Sequence, residues 1–171
     1  MGRKIFAVLL VIISFLLQST LFSQFTIGGV CPNLLMIAVS ALGFKEGKRT
    51  GIYAGFFSGI LLDISIGSFY GLNALLYMYM GYLCGYLKKY VYTKDLKMPI
   101  FFIVSSDLVY SIFFYLIAFL LNGKFHFLFY LKSIMIPEAI YTALMACIIY
   151  PLIQWTLAYF DRREKGEQPI V

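Results

Sequence analysis

Three carboxylates interrupt long apolar runs of this chain: Asp63, Asp107 and Glu138. At the centre of a bilayer a charge costs ~2.5–3.5 kcal/mol on insertion scales, so each acid needs a partner or a task. Two of them share a local pattern. Asp107-Leu-Val-Tyr110-Ser111 and Glu138-Ala-Ile-Tyr141-Thr142 each carry a tyrosine at i+3 and a hydroxyl at i+4, on the helix face of the acid. Such a pair has the chemistry for proton exchange, for a ligand held between two helices, or for a polar seam that joins helices. Asp63 suits a cap of the following turn or of the next helix, through Ser65 and Ser68. With Asn73 at the start of the next run, the candidate intramembrane seam is Asp63, Asn73, Asp107, Tyr110, Glu138 and Tyr141.

Groups for turnover are missing. The one histidine, His126, lies between runs, so no histidine cluster can bind a metal. Cys31, Cys84 and Cys147 are scattered, with no Cys-x-x-Cys, and suit small apolar filling. Phe56-Phe57-Ser58-Gly59 lacks the first glycine of the Gly-x-Ser-Gly nucleophile of intramembrane serine proteases, and no histidine lies in a run to act as base. No glycine loop with Gly-Lys-Ser/Thr cradles a nucleotide. The expectation is a non-enzyme with no catalytic residue, no metal and no cofactor.

A second constellation is geometric. Gly43, Gly47, Gly51, Gly55 and Gly59 recur every four residues, with Asp63 at the next step. Four residues advance a helix by ~400°, so the row drifts slowly around the axis, and Gly51, Gly55 and Gly59 form a smooth groove. Gly81 and Gly85 repeat the device on the next run. In lipid, small residues let helix backbones approach closely. Two uses fit: packing of the third run on the fourth, or docking of a helix from another membrane protein.

The elements that must position these groups are six apolar runs: Ile5–Phe22, Asn33–Phe44, Thr50–Ile66, Phe69–Leu87, Met98–Leu121 and Ser133–Tyr159. With 61% hydrophobic and 13% charged residues, the chain needs lipid as its solvent. The expected fold is all-α, a polytopic bundle of six transmembrane helices over residues 1–160, with a short polar cytoplasmic tail at 161–171. The second run is short for a span of ~20 residues. Either Lys45 and Lys48 snorkel at its end, or Gly28-Gly29-Val30-Cys31-Pro32 dips into the membrane. The first run, after a basic start, is an uncleaved span rather than a removed leader.

Net charge is +6, yet the basic residues form no groove for nucleic acid. Alternating the six runs from a cytoplasmic N-terminus puts all the lysines and arginines except Lys124 and Lys132 on the cytoplasmic side, the positive-inside distribution. Both termini are then cytoplasmic. Trp155, Tyr159, Tyr86, Tyr90 and Tyr92 fall near that interface. On the other side, Asn122–Lys132 mixes apolar and basic residues, as in a segment lying on the bilayer surface, and a very short turn at Gly67-Ser68 makes the third and fourth runs antiparallel neighbours.

Several motifs in order resemble the MreD family of bacterial rod-shape-determining membrane proteins. Leu17-Gln18-Ser19-Thr20 closes the first run, and Pro32-Asn33-Leu34-Leu35 opens the second. Gly55-Phe56-Phe57-Ser58-Gly59-Ile60-Leu61-Leu62-Asp63 runs through the third. Gly71-Leu72-Asn73-Ala74 begins the fourth and Gly81-Tyr82-Leu83-Cys84-Gly85 ends it. Pro137-Glu138 with Tyr141-Thr142 opens the last. The family often has Asp after the second-run proline, where this chain has Asn33.

The resemblance implies a non-enzymatic scaffold of the elongation machinery in the bacterial cytoplasmic membrane. Its implied direct partner is the single-span MreC. The wider complex holds the actin-like MreB and the peptidoglycan-synthesis pair of RodA with a class B penicillin-binding protein. The family is also similar in fold to the substrate-binding S-components of energy-coupling-factor (ECF) vitamin importers, which supplies the alternative function. Those subunits carry an Ala-xxx-Ala patch in the first span, and here Ala7 is followed by Val11. A third reading makes Asp107 and Glu138 a site for a lipid-linked precursor.

Overall fold

In a computed structural model, the described residues are 2–22, 30–66, 71–89, 97–122 and 127–164. They form helix α1 (Gly2–Leu16), continued by a π-helical turn (Leu17–Phe22), then α2 (Leu34–Glu46), α3 (Lys48–Ile66), α4 (Leu72–Leu87) and α5 (Lys97–Asn122). A short α6 (Phe127–Tyr130) and a second π-helical turn (Leu131–Met135) lead directly into α7 (Ile136–Glu164). The all-α bundle expected from the six runs is what forms. The second half of the Asn122–Lys132 segment is thus helical and joined to α7. The Gly67-Ser68 turn, Gly28-Gly29, Tyr90, Tyr92, Lys94, Lys124, His126 and Lys165 lie outside the described residues.

The bundle is built around α2. Every residue from Leu34 to Phe44 is buried, and α2 touches each of α1, α3, α4, α5 and α7. This answers the puzzle of its length. Thirteen residues rise about 20 Å, short of the ~30 Å hydrocarbon thickness. A helix enclosed by its neighbours has no lipid-facing surface to match to that thickness, and it is apolar all round because it is buried all round. Among the described residues, three helical segments are long and apolar enough to cross a membrane: Gly2–Thr20, Lys97–Ile117 and Leu128–Tyr159. Length and charge separate the others from these, since α2 and α4 are short and α3 carries Lys48, Arg49 and Asp63.

Outward faces are apolar. On α7, Ile140, Leu144, Ile148 and Leu152 form an exposed stripe at four-residue steps, and α1 exposes Ile5, Val8, Leu9 and Ile12. Such surfaces suit hydrocarbon, and the chain is a membrane protein.

The glycine row is the contact between α3 and α4. A Cβ on Gly51 would collide with the Gly81 carbonyl, one on Gly55 with the Tyr77 carbonyl, and one on Gly59 with the Ala74 backbone. From the other side, Gly85 faces the Lys48 backbone, and Gly43 of α2 abuts Cys84 and Gly81. The groove is therefore filled by the chain's own fourth helix. Direct backbone-to-backbone approach gains dispersion contacts that any side chain here would remove.

Candidate functional site

Helix α2 begins inside the bundle, so its first N–H groups must be satisfied by protein. Leu34 N–H donates to the Pro32 carbonyl (3.1 Å) and Ile37 N–H to the Asn33 carbonyl (3.2 Å). Leu35 N–H donates to Gln18 Oε1 (3.1 Å), which the π-helical turn after α1 brings across. Met36 N–H donates to Asn33 Oδ1 (3.1 Å). All four are paired, and Asn33 is the N-cap.

Asn33 is also the hub of a buried polar network. Its Nδ2 donates to Asp107 Oδ1 on α5 (2.8 Å). Its backbone N–H donates to Thr142 Oγ1 on α7 (3.1 Å). Its Oδ1 accepts from Tyr77 OH on α4 (2.6 Å) as well as from Met36. The Met36 N–H can only donate, which fixes the amide orientation and turns the NH2 group toward the carboxylate. Asn33 is 3% exposed and Asp107 1%, so the pair lies away from solvent.

From Tyr77 the network continues through ring contact. The Tyr77 and Tyr110 rings meet edge to face, with centroids 4.9 Å apart. Tyr110 OH donates to Asn73 Oδ1 (2.8 Å). Asp63 then closes the chain of contacts: it accepts from the backbone N–H groups of Gly71 (3.0 Å), Asn73 (3.1 Å) and Ala74 (3.1 Å). It caps α4 from the neighbouring helix, where the positive end of the helix favours an anion. Ser65 plays no part in this cap, because its hydroxyl donates to the Leu61 carbonyl.

The two acid–tyrosine–hydroxyl motifs exchange hydroxyls. Asp107 hydrogen-bonds Thr142, the hydroxyl of the Glu138 motif. Glu138 hydrogen-bonds Ser111, the hydroxyl of the Asp107 motif. Antiparallel α5 and α7 put each acid beside the other helix's i+4 position, so the repeat in sequence becomes a reciprocal clamp in space. Tyr110 turns to Asn73 instead of its own acid, and Tyr141 stays half-buried on α7. Of the expected seam, Asp63, Asn73, Asp107 and Tyr110 join Asn33 and Tyr77 in one connected set, and Glu138 with Ser111 flanks it.

Asn33 as hub, Tyr77 and Gln18 were missed as functional candidates. A cap signature was available in Pro32-Asn33 ahead of an apolar run. Tyr77 lies one turn beyond Asn73, but nothing in its spacing points to Asn33. Nearer the opposite end, Cys84 is buried, with its thiol against Ser40 (3.4 Å) and Ser106 (3.3 Å), so it is more than an apolar filler. Among the described residues, no three His, Cys, Asp or Glu side chains gather as metal ligands.

The network can hold five helices, α2, α3, α4, α5 and α7, in one register, because each is tied to it by a buried hydrogen bond. The family model described as rod shape-determining protein MreD matches residues 2–160. The chain belongs to the MreD family. No curated protein and no solved structure matches it. The MreD match runs from α1 into the last turns of α7 and so covers every element that contributes to the network. As a member of that family, the chain is a rod shape-determining membrane protein.

Proposed function

We propose that this MreD-family chain is a non-enzymatic scaffold of the cell-elongation complex in the bacterial cytoplasmic membrane, with both termini cytoplasmic. In this reading it binds MreC directly. Through the wider complex with RodA and a class B penicillin-binding protein, it couples MreB to peptidoglycan synthesis. Residues 1–160 form the membrane unit and 161–171 the cytoplasmic tail.

The observation that carries the reading beyond family membership is how the buried polar groups are used. Asn33, Asp107, Thr142, Tyr77, Tyr110, Asn73 and Asp63 bond one another or a helix end. A hydrogen-bonded network of buried side chains rigidifies a core. A surface that positions partners needs rigidity, whereas an active site needs polar groups aimed at a substrate.

The test is depletion in the host with affinity recovery of a tagged copy. Rods should become round on depletion, and MreC should co-purify with the tagged chain from detergent-solubilised membranes. Retained rod shape, or recovery without MreC, would overturn the scaffold. E138Q distinguishes chemistry from architecture. When it accumulates normally, cells should stay rod-shaped; loss of elongation at a normal protein level would instead point to a chemical task for the acid.

A further inference from the structure

We propose that α1 is a hinged arm, latched by Arg3 and Glu46 at one end and pivoting beside Gln18 at the other, whose opening uncovers one side of α2. The proposal goes beyond the scaffold reading and does not depend on it.

Helix α1 is held differently from the rest of the bundle. The buried network ties α2, α3, α4, α5 and α7 together. The middle of α1 rests on packing instead. Its buried residues are Val11 and Ser14, and Phe6 and Leu10 pack against the cluster that holds Ile37, Ala41 and Phe44 of α2. Ile5, Val8, Leu9, Ile12 and Ile13 are exposed on the outer side. In lipid such packing has little hydrophobic force behind it, because the hydrocarbon outside is as apolar as the side chains within. Moving α1 outward exchanges protein contacts for lipid contacts. Parting the other helices would break buried hydrogen bonds.

The two ends of this arm are fastened by contacts of unequal kind. At the start, Arg3 Nε and Nη2 both donate to Glu46 Oε1, at 3.0 and 2.6 Å. The Arg3 side chain is 30% exposed and that of Glu46 17%, so water and salt reach the pair. At the far end, Gln18 Oε1 accepts from the Leu35 N–H. Releasing it would strip the acceptor from an N–H at the buried start of α2.

The backbone agrees with this division. Gln18 lies in the π-helical turn Leu17–Phe22, which follows α1 directly. A π-turn interrupts the regular ladder of hydrogen bonds, and helices bend at such points. The end that resists release is thus the end able to bend, and the end that lets go is an ion pair within reach of solvent. The arm opens at Arg3 and turns about Gln18. Opening lifts Phe6 and Leu10 off the cluster around Ala41 and Phe44, so a helix otherwise enclosed by its neighbours gains a face toward the membrane.

The test measures distances between spin labels by pulsed electron paramagnetic resonance, on the full chain in lipid nanodiscs. Cys31 and Cys147 are changed to alanine and the buried Cys84 is kept. Labels at I5C and W155C, both exposed positions, report the latched end of α1 against α7. Labels at L16C and I140C report the pivot end. The first pair should show a main distance and a minor, open one. R3Q and E46Q should each raise the open fraction about two- to fivefold, the range for one partly exposed ion pair. K4Q removes an exposed neighbouring charge and should change nothing, and the swap R3E/E46R should restore the distribution seen with Arg3 and Glu46 in place. Going from about 0.1 M to about 1 M salt shortens the screening length from ~10 to ~3 Å. That should open the arm when the ion pair is present and have no effect on R3Q. The pivot pair should keep one narrow distance throughout. Thermal melts identify variants that have lost their fold, and the salt series needs no variant of the latch. An open fraction unmoved by salt, a K4Q effect equal to that of R3Q, a charge swap that stays open, or a pivot distance that shifts along with the latch distance would each overturn the proposal.

Discussion

Asn33 shows how one amide can set the chemistry of a membrane core. It gives Asp107 a donor while accepting from Tyr77 and Met36, a combination that neither a carboxylate nor an apolar residue supplies. N33D keeps both accepting contacts but places a carboxyl oxygen against Asp107. The expected cost is at least the ~1–3 kcal/mol of a buried polar group left unsatisfied. The double variant N33D/D107N restores one donor facing one acceptor with the roles reversed, and Thr142 can still donate to the new amide oxygen. Thermal melting in detergent should therefore show the double variant to be more stable than the two single losses together predict. Simple additivity would mean that the contact between the two side chains is not what holds this part of the core. The carboxylates were legible in the sequence because a charge in an apolar run stands out, and so was their alignment with hydroxyls. Their partners were not. Helical periodicity names neighbours on the same helix, while the exchange of Thr142 and Ser111 depends on the register between α5 and α7.

At the scale of elements, each of the six apolar runs forms a helix, with boundaries close to those expected from the charges. What the runs could not convey was that α2 is enclosed. A short run reads alike whether it is a poor span or a buried helix, and the difference lies in the helices that surround it. The π-helical turn that delivers Gln18 to α2 was equally invisible, since it depends on a tertiary contact. Glycine spacing predicted close approach, and the occupant of the groove is α4. A consequence follows for mutants. At Gly55 the obstacle is the Tyr77 backbone, which cannot yield as a flexible side chain would. G55A should cost ~1–3 kcal/mol and G55L distinctly more, as overpacking grows with size. Gly71 offers the contrast: nothing lies within 4 Å of its would-be Cβ, but its φ is +91°. G71A should cost ~1–2 kcal/mol for the left-handed backbone, and G71L about the same, because the strain is set at Cβ. A size-dependent loss at Gly71 or a flat series at Gly55 in thermal melts would reverse these assignments. Failure of G55L to recover MreC would also carry no information about docking unless its melt is normal.

Across the whole molecule, charge and polarity divide between two ends. Arg3 bonds Glu46, so the start of α1 and the end of α2 share one end with Lys45, Lys48, Lys88 and Lys89. The other end gathers Asn33, Asp63, Asn73 and Glu138 around the starts of α2, α4 and α7. This arrangement is internal to the fold; the membrane orients it. The positive-inside rule depends on lysine and arginine close to span ends and assigns the lysine-rich end to the cytoplasm. In the orientation we propose, the polar network belongs to the outer half of the bundle. Cysteine labelling reads this directly, in a background with Cys31 and Cys147 changed to alanine and the buried Cys84 retained. K132C, exposed near the start of α7, should react with a membrane-impermeant maleimide in intact cells. K88C, exposed at the end of α4, should react only after permeabilisation. The reverse pattern would turn the molecule over. It would place the end that carries Asp63 and Glu138 at the cytoplasm.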